Sequence, residues 1–206
     1  MRDPWDIAAC ARTAWLYVVD WGAKCVWRVS PDGADIQRWL TPSEPFTPSA
    51  LSVTSSRLLV TSRIGKQLRQ FDTAGGDELR RVGLPRYMYP VHAVESPTGT
   101  FIVAHGNTQL DQYQVSEVNT EGQVLRQFSG SLGWSVHIAI DSQGHILVAD
   151  KRHILLLDAQ LALRRVIIDR HQLNDQLPLH LCYEEQSGQL LVGLICSVAV
   201  FDVLQR

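Results

Sequence analysis

Two residues after Pro4, Pro48, Pro90, Ser135 and Pro178 stand Asp6, Ala50, His92, His137 and His180. Three imidazoles and a carboxylate recur at a nearly constant spacing, each at the head of a short apolar run. If the chain brings these positions together, the set offers ligands for a divalent metal, since neutral imidazole and carboxylate are common donors. The same residues have a plainer use. A polar side chain at the start of a strand can hydrogen-bond neighbouring backbone or trapped water. No serine nucleophile elbow and no glycine-rich phosphate loop accompanies them.

The spacing comes from a repeat. The run ILVAD at 146–150 has counterparts in LYVVD at 16–20, LLVTS at 58–62, FIVAH at 101–105 and LLVGL at 190–194. Their shared valines, Val18, Val60, Val103, Val148 and Val192, lie 42, 43, 45 and 44 residues apart. Before each run comes another short apolar stretch: WDIAA, ALSV, HAVE, HIAID and HLCY. After it comes a third: VWRV, LRQF, LDQY, ILLLD and VAVFD. A fourth follows in four repeats: IQRWL, LRRVGL, VLRQF and LRRVII. The runs are strand-length, and the SPDG, SPTG, TEG, SQG and QSG segments between them suit tight hairpin turns. No stretch has capped helical periodicity, although residues 169–176, DRHQLNDQ, could hold one helical turn.

Four antiparallel strands per repeat of this length is the arithmetic of a β-propeller blade. The expected fold is therefore all-β, with repeats at approximately 3–46, 47–89, 90–133, 134–175 and 176–206 forming one domain. The second strand of each blade, buried on both faces, reads as a nearly unbroken apolar run. The fifth repeat ends at VAVFD plus four residues, without an evident fourth strand.

The pattern P-x-[HD]-I-A-x-D-x-x-G-x-I-x-V-A-D followed by R-I-x-x-x-D resembles the NHL repeat. HIAIDSQGHILVADKRHILLLD is its fullest copy, and DPWDIAA…LYVVDWGAKCVWRVSPDG the next. The resemblance spans almost the whole chain and implies a propeller like those at the C-terminus of TRIM-type ubiquitin ligases. Such propellers usually have six blades. Five are visible here, so a truncated, open or unusually closed ring is expected. The repeat also occurs in peptidylglycine-processing lyases, which hold zinc on channel histidines, and its neighbours include gluconolactonase-like enzymes. By that resemblance Asp6, His92, His137 and His180 are candidate metal ligands. One fold hosts many activities, so the likeness bears on architecture more than on function.

Composition narrows the classes. Of 206 residues, 45% are hydrophobic and 19% charged, and the net charge is −2. That suits a packed core and gives no sign of disorder or of a nucleic-acid partner. No run is long enough to cross a membrane as a helix, and MRDPWDIAAC does not have the build of a secretory signal. Cys10, Cys25, Cys182 and Cys196 form no CxxC pair and no zinc-finger spacing, which fits free thiols in the cytoplasm.

In a meandering blade, the blade-to-blade connections and the turns between second and third strands share one face, here termed the top. It gathers Lys24, Arg63, Lys66, Arg86, Lys151, Arg152 and Arg170 against Asp20, Glu44, Asp150, Asp169 and Asp175, whereas the opposite face is rich in Asp and Glu. A mildly basic top can attract an anionic partner. Turns also favour acidic residues for their own reasons. Five of the six tryptophans, Trp5, Trp15, Trp21, Trp27 and Trp39, lie in the first repeat. Trp21 falls in a top turn, where it could anchor a peptide or stack a base beside Lys24 and Arg63. A second column, Arg38, Arg81, Arg126 and Arg165, sits on the outermost strands, where cations discourage edge-to-edge pairing.

The expected function is a non-catalytic binding module. Its top face, represented by Trp21, Lys24, Arg63, Lys66, Lys151 and Arg152, would recognise a protein, or else RNA, without a cofactor. The alternative is a metal-dependent lyase or lactone hydrolase centred on the channel.

Overall fold

A computed structural model describes residues 1–41, 46–54, 56–107, 112–133 and 136–203. Glu44 and Ser135 lie outside them. The described chain is all strand and turn. Blade one is β1 (Pro4–Ala9), β2 (Leu16–Asp20), β3 (Cys25–Val29) and β4 (Ile36–Leu40). Blade two is β5 (Ala50–Val53), β6 (Arg57–Ser62), β7 (Gln67–Asp72) and β8 (Glu78–Gly83). Blade three is β9 (Met88–Glu95), β10 (Phe101–Asn107), β11 (Gln112–Val118) and β12 (Val124–Gln127). Blade four is β13 (His137–Ile140), β14 (Ile146–Asp150), β15 (His153–Leu157) and β16 (Leu163–Ile168). Blade five has three strands, β17 (His180–Glu184), β18 (Gln189–Gly193) and β19 (Val198–Asp202). Each sheet is an antiparallel meander in sequence order, as the repeat predicts.

One sequence expectation holds and another needs correction. Residues 169–176 form no helix but turn once in helical fashion, the Leu173 N–H bonding the Asp169 carbonyl four residues back. The third strand of blade three is not LDQY. It runs from Gln112 to Val118, because β10 continues to Asn107 and pushes the hairpin outward; Leu110 and Asp111 lie outside the described residues.

Blade faces pack on one another to make the core. One apolar cluster joins blades one and two through Tyr17, Val19, Phe46, Leu58 and Phe71. A second joins blades two and three through Leu59, Leu68, Met88 and Phe101. A third, with Ile102, Val115, Ile138 and Val148, joins three and four, and a fourth, with Leu147, Ile154, Leu181 and Leu190, joins four and five. Fully burying a side chain of this size is worth roughly 1.5–3 kcal/mol, so each junction is a substantial hydrophobic seal.

The junction between blades five and one has no such cluster among the described residues. It is a wedge of about 440 Å3 between the two sheets. Trp5 and Ile7 on one side are 63% and 59% exposed, and Val198 and Val200 of blade five are 65% and 55% exposed. At its inner end the gap narrows, with His180 Nδ1 3.6 Å from Asp6 Oδ1.

Turn chemistry explains much of the acidic underside. One carboxylate oxygen of Asp141 accepts the N–H groups of Gln143 and His145, and Asp158 does the same for Gln160 and Ala162. Asn119 serves Glu121 and Gln123 in the same way. The third residue after these anchors takes a left-handed φ. It is Gly122 or Gly144 in two turns, but Leu161, at φ 62°, in the third. Leu161 is buried at 3% exposure in the core of blades three and four, which offsets the backbone cost.

No helix is long and apolar enough to cross a membrane among the described residues.

Candidate binding site at the channel mouth

The first strand of each blade lies nearest the axis, and consecutive first strands touch from β1 through β5, β9 and β13 to β17. Their polar column therefore converges. The His92 and His137 rings stack with centroids 3.6 Å apart and an interplanar angle of 24°. The His180 ring stands edge-on to His137 at 5.1 Å. One ligand-type atom from each of Asp6, His92 and His137 falls within 4.8 Å of the others. Ala50, the member from blade two, brings only a methyl group.

The column is already occupied with hydrogen bonds, and these run from blade to blade. Asp6 Oδ2 accepts the N–H of Leu51 at 2.7 Å. His92 Nδ1 accepts the N–H of Ile138 at 3.4 Å, and His137 Nδ1 accepts the N–H of Leu181 at 3.3 Å. In each case the column residue of one blade takes the backbone N–H one position beyond the column residue of another. Asp6 reaches blade two, His92 blade four and His137 blade five. Ala50 cannot act in this way; instead the Leu51 carbonyl accepts from His92 Nε2 at 3.1 Å. Asp6 Oδ1 accepts the N–H of its own neighbour Ile7.

These bonds fix the tautomers. A backbone N–H can only donate, so Nδ1 of His92 and His137 must present a lone pair, and the proton sits on Nε2. Burial pushes His92 down to about 4, with the charge of His180 acting in the same direction and the bond to the Leu51 carbonyl opposing both. His137 is held well below the usual imidazole value by burial, with His92 and His180 adding to the effect. Partial burial lowers His180 as well. Burial raises the Asp6 carboxyl to about 7, although the Leu51 and Ile7 N–H groups pull it back. Near neutral pH the cluster is thus three uncharged imidazoles and a carboxyl close to its midpoint.

Neutral imidazole suits a metal, but the lone pairs do not. His92 has both ring nitrogens engaged with backbone, and His137 turns a protonated Nε2 away from its Leu181 bond. Coordination at these rings would require releasing links between blades. The residues present do not fit a resident metal centre in this arrangement.

Above the column lies a cavity of about 420 Å3. Trp5, Asp6, Arg63, Tyr113, His137 and His180 are among its walls. Arg63 is exposed in the turn after β6, where its N–H bonds Ser49 Oγ. Trp21, 36% exposed in the top turn of blade one, lies against Trp5 with ring centroids 6.4 Å apart. That turn is anchored by Asp20, which is fully buried. Burial alone would raise Asp20, but N–H donors from Arg2, Ala23, Asp3 and the Trp27 indole outweigh it and hold the group at about 2.

The remaining top-face candidates do not gather at the cavity. Lys66 stands 4.1 Å above the Tyr89 ring and donates to the Arg86 carbonyl. Lys24 takes a left-handed φ of 50° at the end of the Trp21 turn. Lys151 and Arg152 are exposed in blade four's own hairpin. Of the rim arginines, Arg38 lies over Trp27, Arg81 pairs with Glu78, Arg126 pairs with Glu117, and Arg165 borders a groove beside blade five.

Trp5 and Tyr113 are cavity walls that the sequence pattern did not single out. Trp5 falls at the irregularity between Pro4 and Asp6 in the β1–β2 pairing, which simple strand alternation does not foretell, and it lines the same cavity as Asp6. Tyr113 carries no signal, because the displaced hairpin of blade three brings it inward. Another feature outside the pattern is His105, whose Nε2 lies 2.8 Å from Ser116 Oγ. Both residues are fully buried, and Gln127 also bonds Ser116, so this pair is closed to substrate.

No protein-family model matches the chain, and no curated protein does. Solved structures do match its fold. A virginiamycin B lyase from Staphylococcus aureus is 12% identical with a TM-score of 0.64, over 97% of this chain and 69% of that one. A gluconolactonase from Xanthomonas campestris is 13% identical with a TM-score of 0.71, over 91% and 68%. A chain of the nidogen–laminin complex is 15% identical with a TM-score of 0.69, over 97% and 76%. At these identities the likeness establishes the propeller fold. The chain spans about two thirds to three quarters of the length of these structures.

Proposed function

We propose that this propeller is a binding module without catalysis of its own, that it recognises its partner at the channel mouth on the top face, and that the partner is a protein. The observation that carries this reading is the 420 Å3 cavity, with aromatic walls at Trp5 and Tyr113, a single cation at Arg63, and the uncharged imidazoles of His137 and His180 beside the Asp6 carboxyl. Aromatic walls and one cation suit an aromatic or apolar side chain next to a carboxylate, the usual build of a peptide anchor site. A nucleic acid is matched less well, because it rewards several cations along a track, and Lys66, Lys151 and Arg152 stand elsewhere. The test is an array of aromatic–acidic peptides and a random single-stranded RNA pool, each titrated against salt. Peptide binding with shallow salt dependence, lost in Trp5→Ala and Arg63→Glu, supports the reading. RNA binding that weakens steeply with salt, or no binding to either probe, overturns it.

The second reading is a metal-dependent lyase or lactone hydrolase. The approach of Asp6, His92 and His137 to within 4.8 Å favours it, as do the activities named for two of the similar folds. The backbone-imposed tautomers weigh against it. Elemental analysis of protein purified without chelator decides. Stoichiometric zinc, iron or calcium that disappears in His137→Ala would establish the metal reading.

A further inference from the structure

Given the peptide site proposed above, on which this rests, we infer that the anchor seated in the channel-mouth cavity is a tyrosine of the partner protein, its ring against Trp5 and Tyr113 and its hydroxyl bonded to His137 and Asp6. The walls suit an apolar body, since Trp5, Val91, Tyr113, Val136 and Leu179 all line the cavity. Ser49, also a wall, is already satisfied: its hydroxyl donates to the Thr61 carbonyl at 3.0 Å and accepts the Arg63 N–H at 3.1 Å. His137 and Asp6 are not. With Nδ1 of His137 committed to the Leu181 N–H, the ring proton is on Nε2, which has no hydrogen-bond partner among the described residues. Asp6 accepts one N–H on each carboxylate oxygen, that of Ile7 on Oδ1 and that of Leu51 on Oδ2, and each oxygen keeps a second accepting position. A ring nitrogen of His137 and a carboxylate oxygen of Asp6 lie within 4.8 Å of each other, with no direct hydrogen bond joining the two residues. An oxygen bonded to both at about 2.8 Å spans that separation.

A hydroxyl answers both groups, because it accepts and donates through one atom, and it finds a partner in Asp6 whether that carboxyl is ionised or protonated. Other side-chain tips answer one group or neither. An ammonium has no lone pair for His137 and shares the cavity with the Arg63 guanidinium. A carboxylate accepts from His137 but sets a second negative charge beside Asp6, which a buried site penalises. An indole offers only a donor, and a carboxamide carries its donor and acceptor on separate atoms without an aromatic body. Phenylalanine leaves both groups unpaired. Serine and threonine have the hydroxyl but not the bulk for a cavity of about 420 Å3. Tyrosine alone joins a large apolar ring to a hydroxyl tip. A carboxylate next to it in the partner then meets Arg63.

The test compares three arrays of blocked peptides on the native chain, identical except that the residue beside an aspartate is tyrosine, phenylalanine or O-methyltyrosine. Tyrosine peptides should bind about tenfold or more tightly than their phenylalanine counterparts, the scale of a buried donor and acceptor left without a partner. O-methyltyrosine, which cannot donate, should gain nothing over phenylalanine. In Asp6→Ala, folded by its circular dichroism spectrum, tyrosine peptides should fall towards the phenylalanine level while phenylalanine peptides keep their affinity. The peptide series is read on the native chain, so it decides even where Asp6→Ala does not fold. Phenylalanine or O-methyltyrosine peptides that bind as tightly as tyrosine ones, or a tyrosine advantage undiminished in folded Asp6→Ala, would overturn the tyrosine anchor and leave the peptide site standing. Binding by none of the arrays would overturn both.

Discussion

Four of the five junctions in this ring differ from the fifth. Between blades one and two, two and three, three and four, and four and five, buried aliphatic and aromatic side chains seal the sheets. Between blades five and one the facing side chains are just as apolar, yet Trp5, Ile7, Val198 and Val200 remain largely exposed. Composition of a blade face thus does not decide whether it is sealed. The sealed junctions have a neighbour at packing distance, whereas the open one converges only at its inner end, at Asp6 and His180. The same contrast runs through the polar column. His92 and His137 each accept a backbone N–H from another blade. His180, last in order, has a half-exposed side chain and meets the edge of the His137 ring and the Asp6 carboxylate, with no backbone N–H bonded to it among the described residues.

The comparison can be broken most strongly at the cores. Ile138→Ala, in the sealed junction of blades three and four, should cost about 2–5 kcal/mol in urea unfolding. Ile7→Ala, on the open side, should cost under about 0.5 kcal/mol, the level of an ordinary surface change. Similar losses at the two sites would mean that the wedge is closed in solution.

The column offers a second contrast of smaller size. His92→Ala leaves the Ile138 N–H and the Leu51 carbonyl without partners, at about 1–3 kcal/mol for a buried unsatisfied group. His180→Ala removes no backbone bond and should lie within about 0.5 kcal/mol of the native chain. Thermal denaturation of the two variants side by side measures the difference.

The pH dependence is subtler, because two effects oppose. The depressed His92 and His137 contribute stability that is present above the unfolded imidazole value of 6.5 and is lost as pH falls, for His92 down through about 4. The raised Asp6 works the other way. Its contribution is full below 3.8 and is lost as pH rises through about 7. Between pH 6.5 and 4 the native chain therefore shows a partly cancelled acid loss. Asp6→Asn removes the compensation, so its stability should fall more steeply over that window. An unchanged slope in denaturant titrations at several pH values would contradict the assignment.

The fold was legible because the second strand of each blade is covered on both faces, which forces an apolar run that turn residues then punctuate. Legibility failed at β11 for a related reason. There the interior is paired polar atoms: His105 with Ser116, Asn107 with Gln114 at 3.0 Å, and Thr100 with Glu117 at 2.7 Å. Such pairs satisfy one another inside a sheet but break the apolar pattern that marks a strand. The convergence of Asp6, His92, His137 and His180 followed from their period. The hydrogen bonds of Asp6, His92 and His137 did not, because the partner of each of these three is a backbone N–H on another blade, set by how the sheets stack. The cavity was readable in part. Arg63 and Trp21 stand out as a cation and an aromatic in top turns, but Lys66, Lys151 and Arg152 share the face without sharing the site, since a face is much wider than a pocket.

The channel column links blades, and we propose that it holds no resident metal. The nitrogen-15 shifts of the His92 and His137 rings test it most directly. Bonding of each Nδ1 to a backbone N–H predicts the neutral tautomer with the proton on Nε2 for both rings at neutral pH, unaltered by equimolar zinc. The proton on Nδ1 of either ring, or zinc-dependent shifts at both, would contradict the account.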